Sequence, residues 1–273
     1  MLNARSLIGT HDVLFITLDS LRYDVARDAL AAGRTPNLGA LLPDGQWEKR
    51  HSPGSFTYAA HHAFFAGFLP TPASPGPHPR LFAARFEGSE TTTGDTLVFE
   101  TGDIVSGLAA RGYHTICIGG VGFFNRKTAL GSVLPNLFQE SHWNPELGVT
   151  SKQSTQKQAR LACEILAALA ITQRVFLFLN VSALHQPNCI FTPNQTGDSP
   201  ATQGQALEYV DRHLPPLFEA MQRRAPVFTI ICSDHGTAYG EDGFQGHRLA
   251  HEVVWTVPYA EFILPHQTTL EAS

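Results

Sequence analysis

The chain has 273 residues, enough to bury one large α/β core. Its 43% hydrophobic and 16% charged content is that of an ordered globular protein and excludes a disordered one. A formal net charge of -5 speaks against a broad nucleic-acid surface, and no stretch reaches the ~20 apolar residues that a bilayer span requires.

Apolar runs of strand length alternate with helical patterns along the chain. This predicts an α/β fold: a doubly wound, mainly parallel sheet with helices on both faces, as a single domain over residues 1–273. Residues 13–18 read as the first strand and run into a carboxylate, Asp19. Thr35-Pro36-Asn37-Leu38 predicts a short helix with Thr35 as N-cap and Pro36 at its first position. A helix over 57–66 follows, with Thr57 expected at its N-cap. Residues 103–111 read as a helix closed by Gly112, and 114–118 as a strand.

The amphipathic run 156–170 leads to a strand over 175–179. Residues 203–221 read as one long helix that Pro215 and Pro216 must kink or split. A strand over 227–231 then enters Ser233-Asp234-His235-Gly236, and 253–264 reads as a last strand broken at Pro258. Two stretches rich in Pro, Gly and Ser, 70–80 and 192–203, read as surface loops.

The N-terminus shows no signal-peptide pattern, and Cys117, Cys163, Cys189 and Cys232 show no CxxC spacing. Reduced thiols and a cytoplasmic protein without membrane contact are the expectation.

Asp19 and Asp234 follow separate strands, and in an open α/β sheet ligands gather beyond the carboxyl ends of the strands. Asp234 and His235 offer a hard oxygen and an imidazole to a divalent cation. Thr57, at a helix start, meets the positive end of the macrodipole, where a hydroxyl beside a metal can attack phosphorus or sulfur. His61 lies one turn later on the same helical face, within expected reach of whatever Thr57 attacks. His185 follows the 175–179 strand and is expected to contact substrate or metal.

His247 and His251 are four apart, so on a helix they would share a face and could bind a metal, although the preceding Gly246 permits a loop instead. His247 is expected to contact substrate or act as a general acid, and His251 to be no more than a buried hydrogen-bonding partner. Gly119-Gly120-Val121-Gly122 follows a strand but lacks GxGxxG spacing, so no nucleotide site is assigned there.

Taken in order, these segments resemble the alkaline phosphatase superfamily, in particular its sulfatase and phosphonate monoester hydrolase branch. The resemblance rests on residues 16–24, Thr35-Pro36-Asn37-Leu38, 57–67, Ser233-Asp234-His235-Gly236 and 246–258. It implies one divalent metal (Mn, Zn, Ca or Mg) held by Asp19, Thr57, Asp234 and His235, and a covalent ester on Thr57. His61, His185 and His247 would hold non-bridging oxygens or protonate the leaving group. A second metal at His185, His247 and His251 is the less favoured expectation.

Thr57 stands where sulfatases carry the cysteine converted to formylglycine, which excludes that chemistry, and Gly120 and Gly122 replace a lysine and a histidine that grip sulfate. The chain stops soon after the last strand, so the resemblance implies a missing C-terminal subdomain and a pocket left open or completed by a partner or a second copy. The expected activity is hydrolysis of small anionic phosphate or phosphonate esters, sulfate esters being less favoured. The alternatives are a phospho-group transferase and a non-catalytic metal-binding partner subunit.

Overall fold

The computed structural model describes residues 2–67 and 103–267, together with the backbone strands Phe82–Ala83 and Leu97–Val98. The expected loop over 70–80 lies outside the described residues. The main sheet has seven strands: β1 (Asp12–Leu18), β2 (Glu48–His51), β3 (His114–Ile118), β4 (Glu140–His142), β5 (Val175–Val181), β6 (Val227–Cys232) and β7 (Thr256–Leu264). Their spatial order is β2-β7-β6-β1-β5-β3-β4. The five from β6 to β4 run parallel, while β7 pairs antiparallel with both β6 and β2.

Six helices matter for the argument: α1 (Tyr23–Ala31), α2 (Thr57–Ala66), α3 (Ile104–Ala109), α4 (Ser154–Ala168), α5 (Pro200–His213) and α6 (Pro215–Gln222). The period-2 alternation of strand side chains divides the interior into two cores. Leu14, Ile16 and Leu18 of β1 join Leu177 and Leu179 of β5 in an aliphatic core with residues of α1, α4, α5 and α6. Val13, Phe176, Phe178 and Phe228 point the other way, into an aromatic core with Phe65 of α2 and Val105 and Leu108 of α3. Helices therefore cover both faces, as the alternating pattern predicts.

Several local readings are refined. Pro215 and Pro216 at the start of α6 split the long helical stretch, as expected, into two helices meeting at Leu214. The first of them starts earlier than the periodicity suggests, because Ser199 and Thr202 form a capping box ahead of it, with Pro200 at its first position. Pro258 does not break β7. It sits opposite Lys49 of the edge strand β2, and its own carbonyl accepts from the Ser233 amide.

Thr57 occupies the first helical position, with Phe56 as N-cap, and Thr35 caps its helix without a side-chain hydrogen bond. Edge strands β2 and β4 have four and three residues and no apolar run to betray them. The four cysteines are free thiols.

Candidate metal centre and its pocket

The carboxyl ends of β1, β5 and β6 converge on one point, and each contributes a polar group there. Asp19 is the first residue past β1, and Asp234 and His235 follow β6 by two and three residues. One donor atom from each of the three lies within 4.8 Å of the others, and all three residues are fully buried. Thr57 enters from the start of α2. Its Oγ1 is 3.4 Å from Asp19 Oδ2 and 3.3 Å from His235 Nε2.

The surrounding groups prepare these four side chains for a cation. His235 Nδ1–H donates to the Gly236 carbonyl at 2.8 Å, which turns the lone pair of Nε2 toward the carboxylates. Asp234 Oδ1 accepts from the backbone amides of Ser20 (3.1 Å) and His235 (3.0 Å). Asp234 Oδ2 is buried with no hydrogen-bond partner. An orphaned carboxylate oxygen is costly in an apolar interior, and a cation bound between Asp19, Asp234, His235 and Thr57 would satisfy it.

The charge balance agrees. Burial and the neighbouring Asp19 push the Asp234 carboxyl well above the usual carboxylate range. Burial also opposes ionisation of Asp19, but His185, His235 and the Asn180 amide outweigh it and hold that carboxyl low. Two buried carboxylates cannot both stay charged at such range without a positive partner. Three oxygens and one imidazole form a donor set open to Mn²⁺, Mg²⁺, Ca²⁺ or Zn²⁺.

Local backbone geometry is part of the site. Ser20 adopts φ 65°, a left-handed conformation uncommon for a residue with a side chain, and this aims its amide at Asp234 and its hydroxyl at Asp19. At Gly120 a β-carbon would stand 2.4 Å from the Asn180 carbonyl oxygen, so this glycine serves close backbone packing. The Gly120 and Val121 amides donate to Asn180 Oδ1 at 3.2 and 3.1 Å. Asn180 belongs to no metal-ligand motif, and the one signal for it in the sequence is an amide near the end of a buried strand, where it needs partners.

The histidines separate into three groups. His61 is fully buried. Its Nδ1–H donates to the Thr57 carbonyl at 2.7 Å, and its Nε2 accepts from the Thr17 hydroxyl at 3.1 Å. Rings of Phe64, Phe65, Phe124 and Phe178 surround it, and burial lowers its pKa to about 4. It braces the first turn of α2 from below, so the expected contact with substrate gives way to a positioning role.

His185 and His247 do reach the pocket. Their rings lie 5.6 Å apart, and His247 is 4.6 Å from the His235 ring. Burial, followed by His235 and His185, lowers the His247 pKa to about 4. His251 is elsewhere. It caps the Glu252–Trp255 helix through its Nδ1 and contacts Asp242 through Nε2 at 3.1 Å. Gly246 and Arg248 have φ of 80° and 69°, so the segment is a loop and the predicted helical His247–His251 pair does not form. Among the described residues, Asp19, Asp234 and His235 make the one cluster of histidine, cysteine and acid ligands.

Above Thr57 opens a cavity of about 270 Å³ whose wall includes Val121, Leu130, Val149, His185, His247 and Arg248.

A search of curated proteins produced no match. Among solved structures, the lipoteichoic acid synthase LtaP from Listeria monocytogenes superposes with a TM-score of 0.62 at 13% identity, over 94% of this chain and 66% of that one. The C-terminal periplasmic domain of EcEptC from Escherichia coli, in complex with Zn, gives 0.61 at 13% identity, over 93% and 72%. A protein in the alkaline phosphatase superfamily from Vibrio parahaemolyticus gives 0.57 at 19%, over 93% and 60%. The fold is thus that of the alkaline phosphatase superfamily. The sulfatase family model matches residues 11–259, and the chain belongs to that family.

Proposed function

We propose that this chain is a metal-dependent hydrolase of small phosphate or phosphonate esters in which Thr57 is the nucleophile. The observation that carries the reading is the meeting of the Thr57 hydroxyl with Asp19 and His235 beside the unpartnered Oδ2 of Asp234. Asp19, Asp234, His235 and Thr57 would hold the divalent cation, which when bound supplies Lewis acidity and makes a neighbouring hydroxyl easier to deprotonate. The remaining work falls to the chain. Thr57 sits at the positive end of the ten-residue α2, a favourable place for an anionic substrate.

Its Oγ1 gives up its proton and forms a bond to phosphorus while the bond to the ester oxygen breaks, and the departing oxygen takes up a proton in exchange. His185 and His247 face this space: His247, kept neutral by burial, donates an N–H to a non-bridging oxygen, and His185 does the same or delivers that proton. Water then cleaves the Thr57 ester and restores the hydroxyl. A sulfate ester fits the same scheme, but Gly120 packs against Asn180 and offers no cation to grip it.

A second reading, transfer of the phospho-group to an acceptor hydroxyl, uses the same parts and differs only in what cleaves the Thr57 ester. The similarity to LtaP, named as a lipoteichoic acid synthase, and to the C-terminal periplasmic domain of the phosphoethanolamine transferase EptC from Campylobacter jejuni favours keeping it.

The test pairs metal analysis with a nucleophile variant. Protein purified without chelator should hold about one equivalent of a divalent metal, and Asp234→Ala should lose it. Thr57→Ala should keep the metal while turnover of phosphate, phosphonate and sulfate esters falls by about 10³-fold or more. Product partitioning between water and added alcohols separates hydrolase from transferase. Absence of bound metal, with none taken up on titration, would sink the reading in favour of a non-catalytic subunit.

A further inference from the structure

A site that binds an anionic ester gains from a permanent positive charge facing the substrate oxygens beside any bound metal, and the positions that first suggest one do not supply it. His61 is buried beneath α2, and Gly120 and Gly122 have no side chains. Among the described residues on the wall of the cavity above Thr57, Arg248 is the one lysine or arginine.

Its placement is built. The Arg248 amide donates to the Ser55 carbonyl at 2.8 Å, tying it to the segment that leads into α2. The residue is held at φ 69°, a backbone conformation that a side-chain-bearing residue adopts only where its surroundings impose it. The guanidinium carbon lies 5.6 Å from the centre of the Phe56 ring, one residue before Thr57. None of the described carboxylates forms an ion pair with it, whereas Arg22, which also flanks the centre, is committed to Asp24 and Glu241.

We propose that Arg248 is the substrate-gripping cation of this pocket, its guanidinium fork donating to two non-bridging oxygens of the ester above Thr57. The inference rests on the Thr57 reading and deepens it. Phe56 serves as the platform that keeps the guanidinium turned inward, and the cavity of about 270 Å³ admits an ester whose organic group is compact. A fork of paired N–H donors matches a tetrahedral oxyanion better than an ammonium does.

Orthovanadate, a tetrahedral oxyanion, is the probe, titrated calorimetrically into the metal-loaded full chain with metal content measured on the same samples. Wild type should bind it, Arg248→Ala should weaken binding about 10- to 100-fold, and Arg248→Lys should fall between them. Metal content and melting temperature should be unchanged in both variants, which a merely structural role for the arginine would not allow.

Vanadate binding by Arg248→Ala within twofold of wild type overturns the proposal while leaving Thr57 chemistry intact. A metal-loaded wild type that binds no vanadate overturns it as well. If wild type holds no metal, the Thr57 reading fails by itself. Arg248-dependent vanadate binding would then still support the arginine's role, and its absence would end it.

Discussion

Asn180 donates its side-chain amide to Asp19 Oδ2 at 3.1 Å, the same oxygen that lies 3.4 Å from the Thr57 hydroxyl. The amide also donates to Thr17 Oγ1 at 3.2 Å, and Thr17 in turn donates to His61, which donates to the Thr57 carbonyl. One asparagine near the end of β5 therefore orients the carboxylate directly and the nucleophile's backbone through two further side chains.

Replacing Asn180 with Leu keeps the branched heavy-atom skeleton but removes the donor to Asp19 and the acceptor for two loop amides. Metal affinity should fall about 10- to 100-fold, the usual effect of losing a partner that orients a ligand. Titration of the purified variant with Mn²⁺ and Zn²⁺ checks this. An affinity equal to wild type would show that Asp19 needs no such support.

A second buried ionic cluster lies at the opposite end of the strands. Asp12, the first residue of β1, faces Arg174 at 3.2 Å and Arg224 at 3.5 Å. Arg224 also donates to the carbonyls of Leu166, Leu169, Ala170 and Gln173, closing the end of α4. Arg224→Met would leave the Asp12 carboxylate with Arg174 as its one cation and remove a donor from four carbonyls, at about 3 to 5 kcal/mol. Thermal unfolding should shift down by about 10 °C in a domain of this size. Metal binding should be retained, because the cluster stands a full strand length away from the centre. Loss of metal in a folded variant would contradict this separation.

Acid should unfold the protein partly through His62. Burial lowers its pKa to about 4 where it packs 4.2 Å from the Tyr58 ring. The unfolded chain takes up a proton near pH ~6.5 and the folded chain only near 4, so the unfolded state binds more protons between those values. The contribution is fully present above about pH 6.5 and is lost as pH falls toward 4, by about 2 kcal/mol once partial screening is allowed for. In His62→Phe the fall of melting temperature across this window should be shallower. An unchanged slope would assign the acid sensitivity to other groups.

The residues that the amino-acid sequence identified by itself are those whose position follows from local chain direction. Asp19 and Asp234 come directly after apolar runs, and Thr57 opens a helix. Any parallel sheet built from those runs brings their carboxyl ends together, so Asp19, Thr57, Asp234 and His235 converge whatever the details of packing. The apolar runs of β1 and β5 are buried on both faces, as the alternation of strands with helices implies for a sheet covered on both sides.

Tertiary structure alone decided the rest. His61 shares a helical face with Thr57 as its spacing says, yet that face meets Phe124 and Phe178 rather than the pocket. His247 and His251 have helical spacing, but left-handed backbone at Gly246 and Arg248 sends one ring into the site and the other into a cap. The same turn points Arg248 over Phe56, and two loop amides meeting Asn180 explain why Gly120 must be glycine. Periodicity encodes which side of an element a residue occupies. What that side touches is set by chain segments tens to hundreds of residues away, and no local pattern carries it.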